Sequence, residues 1–311
     1  MGRAARPSGH LARPRFETAG GPGRMNFDDL ELNPALPPRR KRQRLREEPT
    51  DGPSCYRVAG DLRRAGRLGA AVKQYERAIG YQEHNYDAWT ELVDTLLRMG
   101  APGAALECAQ RGVDGHRKTR PLYAALACAT AHAGDTAAAF ALSDVSLGEH
   151  RYWYPVCVRA ELMLLHEPES KRVRLEAIDC YEEAIRLAAD PWDAHFMAGC
   201  ALLHAGWAGH AAGYFSEALH LDPIGAAGWL GLGDCFHALR LFEQASFYFG
   251  KALDLEPYLE TAQRKQRTSR RAEFGLLRGL KKQSLEERWN ARYDLRIEDP
   301  PDTSFDGLKE A

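Results

Sequence analysis

The amino-acid sequence predicts an all-α solenoid, a stack of antiparallel helix pairs rather than one globular core. Three observations predict it. First, residues 192–225 (WDAHFMAGCALLHAGWAGHAAGYFSEALHLDPIG) lie over residues 226–259 (AAGWLGLGDCFHALRLFEQASFYFGKALDLEPYL) with their landmarks aligned. Ala198-Gly199 falls on Leu232-Gly233, Leu202 on Phe236, Ala211 on Ala245, Phe215 on Phe249, Ala218 on Ala252 and Pro223 on Pro257, always at an offset of 34 residues. A fixed period of this size marks stacked supersecondary units. Second, Gly and Ala recur at helical spacing beside Trp229, Phe236 and Phe249. Small residues let two helices cross closely, and large ones fill the space beside the crossing. Third, Pro223 and Pro257 follow the second helix of each pair, where proline cannot extend the hydrogen-bond ladder.

Residues 1–51 are rich in Pro, Gly and Arg and poor in large apolar side chains, so they are expected to be disordered. Met1 to Arg24 has the Arg-rich composition of a mitochondrial presequence, but its prolines and glycines break any amphipathic helix, which makes import a minor reading. Met25 is an alternative start to Met1, and the segment after it, NFDDLELNPAL, reads as solvated linker or docking peptide. The run PPRRKRQRLR follows, with Arg39, Arg40, Lys41, Arg42, Arg44 and Arg46. Three readings of it stand open: a nuclear-import signal, a solubilising linker and a nucleic-acid contact.

Six helix-pair units follow, at 52–85, 86–119, 120–153, 154–191, 192–225 and 226–259. Landmarks in the first are Ala59, Leu62, Ala71, Tyr75 and Ala78, and in the second Trp89, Leu92, Leu96, Ala105 and Ala109. The third is degenerate, with Ser143 and Ser146 in place of the aromatic residue and the alanine. The fourth has a clear second helix (Ala177, Tyr181, Ala184) but a longer turn, Glu167 to Leu175, made basic by Lys171, Arg172 and Arg174. Residues 260–283 read as a basic helix that caps the stack, with Leu259, Ala262, Leu276, Leu277 and Leu280 on its inner side. Its basic face also suits an acidic partner. In 284–311, Ser284 to Glu287 make a capping box for a short helix striped with Leu285, Trp289 and Tyr293, ahead of an acidic flexible tail.

The pattern Trp229, Leu232, Gly233, Phe236, Ala245, Phe249, Ala252, Pro257, matched again one unit earlier, resembles the tetratricopeptide repeat (TPR) family. The resemblance implies a right-handed superhelix of six units whose first helices line a concave groove. The groove residues it implies are Thr90, Glu91 and Asp94 in the second unit, Cys128 and His132 in the third, and Glu161 in the fourth. The fifth supplies Phe196, Met197, Cys200, Leu203 and His204, and the sixth Leu230, Asp234 and His237. Its small, apolar middle suits an extended peptide or amphipathic helix with apolar anchors. Co-chaperone members hold a terminal carboxylate with a clamp of Lys, Asn and Arg. Tyr56, Gly60, Glu91, Pro121 and Ala125 stand here instead, so chaperone tails are not expected to bind.

The function implied is a non-enzymatic protein–protein interaction scaffold or adaptor, a subunit of a larger complex. The alternative is a nucleic-acid-associated adaptor using residues 39–46 and the basic C-terminal helix. A formal net charge of −1 gives no bulk bias towards nucleic acid or membrane. There is no Gly-rich phosphate loop, nucleophile elbow or metal motif, so neither enzyme activity nor a cofactor is expected. Seven scattered cysteines, without a C-x-x-C pair or Cys/His metal spacing, fit a reduced intracellular compartment, cytoplasmic or nuclear, and no zinc site. His132, His204 and His237 lie in different units without a carboxylate orienter and read as polar groove residues. No apolar run is long enough to span a membrane.

Overall fold

The computed structural model describes residues 49–148 and 152–280, the side chains of 274–280 excepted. The segments 1–48 and 281–311, which hold the basic run and the Leu285/Trp289/Tyr293 stripe, lie outside the described residues. So do the side chains of Leu276, Leu277 and Leu280.

The described residues form thirteen helices and no strand. The six pairs are α1 (Gly52–Arg64) with α2 (Leu68–Tyr81), α3 (Tyr86–Arg98) with α4 (Pro102–Gly115), and α5 (Arg120–His132) with α6 (Thr136–Ser146). Then come α7 (Trp153–His166) with α8 (Lys171–Leu187), α9 (Trp192–His204) with α10 (Ala208–Leu221), and α11 (Ala226–Ala238) with α12 (Phe242–Leu255). α13 (Glu260–Leu280) closes the series. Among the described residues no helix is long and apolar enough to cross a membrane.

Local chemistry starts the helices. Asp51, Asn85, Asp135 and Ser170 each accept a hydrogen bond from the backbone N–H three residues on, at 2.7–3.4 Å. A left-handed residue turns the chain inside five of the six pairs. Gly66, Gly100, Gly134 and Gly206 hold positive φ there, and Arg240, at φ 59°, takes the same place in the sixth pair.

The helix pairs close on size complementarity. A β-carbon on Gly199 would lie 2.9 Å from the Phe215 ring, and one on Gly233 would lie 2.4 Å from Phe249. Where the second helix carries only Ala109, the corresponding first-helix residue is the larger, buried Val93. Trp89 and Trp229, one on α3 and one on α11, each donate from the indole N–H to the backbone carbonyl six residues earlier, at 3.0 Å. Odd-numbered helices contact one another from α3 through α11, and even-numbered helices form the outer row.

The fourth pair differs from expectation. The extra residues do not bulge as a loop from Glu167 to Leu175. Ser170 caps the chain at Val173 N–H, and the surplus becomes the first turn of a 17-residue α8. That turn sets the Arg174 guanidinium 3.4 Å from the Trp207 ring centre in the next pair. At the far end α13 packs on α12. Its Lys265 ion-pairs with Asp234 at 2.5 Å, the Ser269 hydroxyl lies 2.8 Å from His237 Nδ1, and Leu259 and Ala262 are buried beneath it.

Candidate interaction channel

The row of inner helices curls until its ends meet. α1 touches α11 directly, and a β-carbon on Gly66 would stand 3.2 Å from Leu259. Arg63 and Arg64, in the last turn of α1, make the joint. Arg64 ion-pairs with Asp190 at 2.6 Å and lies over the Trp192 ring at 4.8 Å. Arg63 turns inward and is 2% exposed. Its guanidinium stands 2.6 Å from Asp193 and 3.3 Å from Glu91, and its Nε donates to the Tyr75 hydroxyl at 3.1 Å. Tyr75 passes its own proton donor on to Glu91, which also accepts from Tyr56 at 2.6 Å.

Burial of this network pushes the Glu91 carboxyl above its ordinary range, against the pull of Arg63 and the two tyrosine hydroxyls. Burial pushes Asp94 up as well, against Arg98 and Arg63. A buried arginine with three carboxylates around it has its desolvation offset by their charge, which no lone charge could manage here.

Two cavities open along the concave face. The larger, about 420 Å³, lies at the N-terminal halves of the inner helices. Tyr56, Trp153 and Tyr154 line it with Asp61, Asp87, Glu91 and Asp190. The smaller, about 150 Å³, lies at the C-terminal halves, among Asp94, Cys128, His132, Glu161, Cys200 and His204.

The predicted groove residues divide between open wall and core. Glu91, Asp94, His132, Glu161, Cys200 and His204 line the cavities with part of their surface accessible. Phe196 and Met197, expected as open groove anchors, are largely buried, at 6% and 8% exposure, although Met197 lines both cavities. Phe196 stacks on Trp192 at 4.8 Å, meets Phe215 edge-on at 5.3 Å, and is covered by the Arg98 guanidinium at 4.4 Å. Curling brings Arg98 over a ring that an open superhelix would leave bare. Thr90 and Cys128 reach a cavity wall but are buried too. Asp234 and His237 are engaged by Lys265 and Ser269 of α13. Leu203 and Leu230 are partly exposed and pack on the core.

The apolar middle of the expected groove is therefore packing. The larger cavity's wall carries charge and aromatic rings, and the smaller one's mixes polar groups with Leu97, Leu164, Leu165 and Met197. Asp190 and Asp193 were not among the expected site residues. Their roles depend on α1 meeting α9, which no 34-residue period encodes.

Another correction concerns the histidines. His132 does have a carboxylate partner, Glu161 of the next pair, at 2.9 Å from Nε2. That hydrogen bond holds the imidazole pKa above its usual value despite partial burial. The Cys128 thiol, 3.6 Å from the same carboxylate, is pushed far up by burial. Cys128 and His132 stand one turn apart on α5, and sulfur, ring nitrogen and carboxylate oxygen all lie within 4.8 Å of one another. The ninth residue of successive inner helices is Asp94, Cys128, Glu161, Cys200 and Asp234, so polar or ligating side chains repeat at one helix position.

Tetratricopeptide repeat models match residues 62–127, 174–223 and 208–260. Within thirteen helices packed largely in consecutive pairs, residues 62–127 and 174–260 thus carry repeats of the tetratricopeptide repeat family. Members of this family are in general non-enzymatic scaffolds. No curated protein matches the chain. Similar solved structures include TTC0263, a thermophilic TPR protein of Thermus thermophilus, at 17% identity and TM-score 0.40, covering 70% of this chain and 98% of that one. YrrB, described as a TPR protein with an unusual peptide-binding site, is 16% identical at TM-score 0.38, with 62% and 97% covered. The Cut9–Hcn1 hetero-tetramer of the APC/C is 12% identical at TM-score 0.42, with 72% and 44% covered.

Proposed function

We propose that this protein is a non-catalytic scaffold that holds a basic segment of a partner protein in the larger cavity of its closed concave channel. The observation that carries the reading is the wall of that cavity. Asp61 and Asp87 stand exposed at it against one exposed arginine, Arg57; Tyr56, Trp153 and Tyr154 supply aromatic faces, and Arg63 and Arg64 are already paired with carboxylates. Carboxylates beside rings favour a Lys or Arg side chain through ion pairing and cation–π contact. The same carboxylates repel phosphate, so the wall does not favour the nucleic-acid alternative. An acidic partner at α13 has less support, since Lys265 is already paired with Asp234. A place in a larger complex follows from the scaffold role.

An array of short peptides of graded charge tests this, probed with the wild type and with Asp61→Lys/Asp87→Lys. The expected result is selective capture of Lys/Arg-rich peptides by the wild type alone, with unchanged helical circular dichroism in the variant. Preference for acidic peptides, or equal capture by the variant, would overturn the reading.

A further inference from the structure

We propose that Cys128, His132 and Glu161 form a binding site for one divalent ion of the zinc class, with an open coordination position facing the smaller cavity. The site is separate from the larger cavity and does not rest on the peptide reading.

The donor set comes first. A sulfur, an imidazole nitrogen and a carboxylate oxygen are the three ligand types that zinc accepts together. Their placement follows from helix geometry. Cys128 and His132 share a face of α5 because one turn brings residues four apart into line. Glu161 faces them from α7, since neighbouring inner helices pack side by side.

The distances then fit. Ligand bonds of about 2.0–2.3 Å at tetrahedral angles place ligand atoms about 3.2–3.8 Å apart. His132 to Glu161 is 2.9 Å and Cys128 to Glu161 is 3.6 Å, with all three atoms inside 4.8 Å. Rotation of the Cys128 and His132 side chains towards Glu161 completes the triangle.

Charge also closes. One thiolate and one carboxylate neutralise a divalent ion, so a partly buried site carries no net charge. As the metal–sulfur bond forms, the thiol proton leaves to solvent, and the imidazole binds as the neutral ring.

The rest of the cavity supplies the fourth position. Cys200 and His204 occupy on α9 the helix places that Cys128 and His132 occupy on α5, and both line the same cavity with Asp94. The cavity also has room for water in that position. A bound ion would tie α5 to α7 and leave a Lewis-acidic point inside the channel.

Titration of the reduced full chain with Co²⁺ alone tests the site through the thiolate-to-cobalt charge-transfer band. The expected result is one ion per chain and displacement by Zn²⁺. The band disappears in Cys128→Ser, and affinity falls at least about tenfold in His132→Ala and in Glu161→Gln. The Cys55→Ser variant, altered at a distant buried thiol, serves as the control and keeps the band. Cys200→Ser should keep the band as well, and its loss there would overturn the open fourth position. Circular dichroism checks each fold, and Glu161→Gln decides the matter if Cys128→Ser does not fold. A band that survives Cys128→Ser, full affinity in Glu161→Gln, or the absence of any band in the wild type would overturn the proposal.

Discussion

The Arg63 guanidinium stands 2.6 Å from the Asp193 carboxylate, joining the first inner helix to the fifth. Repeat stacking alone brings neighbours together. This pair joins helices that are not neighbours in the stack, and it does so with a buried charge.

Replacing Arg63 by Met leaves Glu91, Asp94 and Asp193 crowded around an apolar side chain. Removing one partner of a buried ion network costs roughly 3–5 kcal/mol. Urea unfolding should show that loss. A change below about 1 kcal/mol would mean that the joint is solvated and marginal.

Glycine substitutions should split by position. Gly233→Ala drives a β-carbon into Phe249, 2.4 Å away, and should cost roughly 1–3 kcal/mol. Gly60→Ala meets nothing within 4 Å inside a helix and should gain about 0.5–1 kcal/mol. Thermal melting compares the two, and equal shifts would argue against the helix crossing described.

Arg240 occupies the left-handed turn position that glycine holds in four other pairs. A β-carbon there costs about 1–2 kcal/mol, only partly offset by the greater chain entropy of glycine in the unfolded state. Arg240→Gly should therefore stabilise by about 0.5–1 kcal/mol. A lower melting temperature in the variant would count against strain at this turn.

Burial lowers the imidazole pKa of both His195 and His210, which pack near Tyr214 and Trp207; in His210 the nearby Arg174 cation adds to the effect. A folded-state pKa below the unfolded value near 6.5 means that the unfolded chain takes up protons first. Stability from these groups is complete above that value and is lost as pH falls towards the folded values. Unfolding measured at about pH 7.5 and about pH 5.5 should show a smaller acid loss in His195→Gln/His210→Gln than in the wild type. An equal loss in both proteins would refute the assignment.

The sequence made the fold legible because each helix pair repeats the same local match of size. Phe215 and Phe249 sit against Gly199 and Gly233 in neighbouring units, and a period of 34 exposes the match. Even the weak third pair, with Ser143, keeps its place, because its buried position tolerates a small residue. The channel was less legible. Phe196 looks like a groove residue on its own helix, and only the arrival of Arg98 makes it core. Asp193 looks like an ordinary first-turn acid until Arg63 reaches it. The link from His132 to Glu161 was within reach, since both are inner-helix residues of adjacent units, but it required comparing the same face across units.

The joint at Arg63 and Arg64 has a mechanical consequence. An open superhelix of repeats stretches like a coil spring, each hairpin yielding a little in turn. Here the first hairpin is fastened to the ninth and eleventh helices, so tension applied at residues 52 and 280 loads the fastening before it reaches the hairpins between α3 and α8. The molecule should resist as a clasped bracelet resists, stiff until the charged pairs part and compliant afterwards.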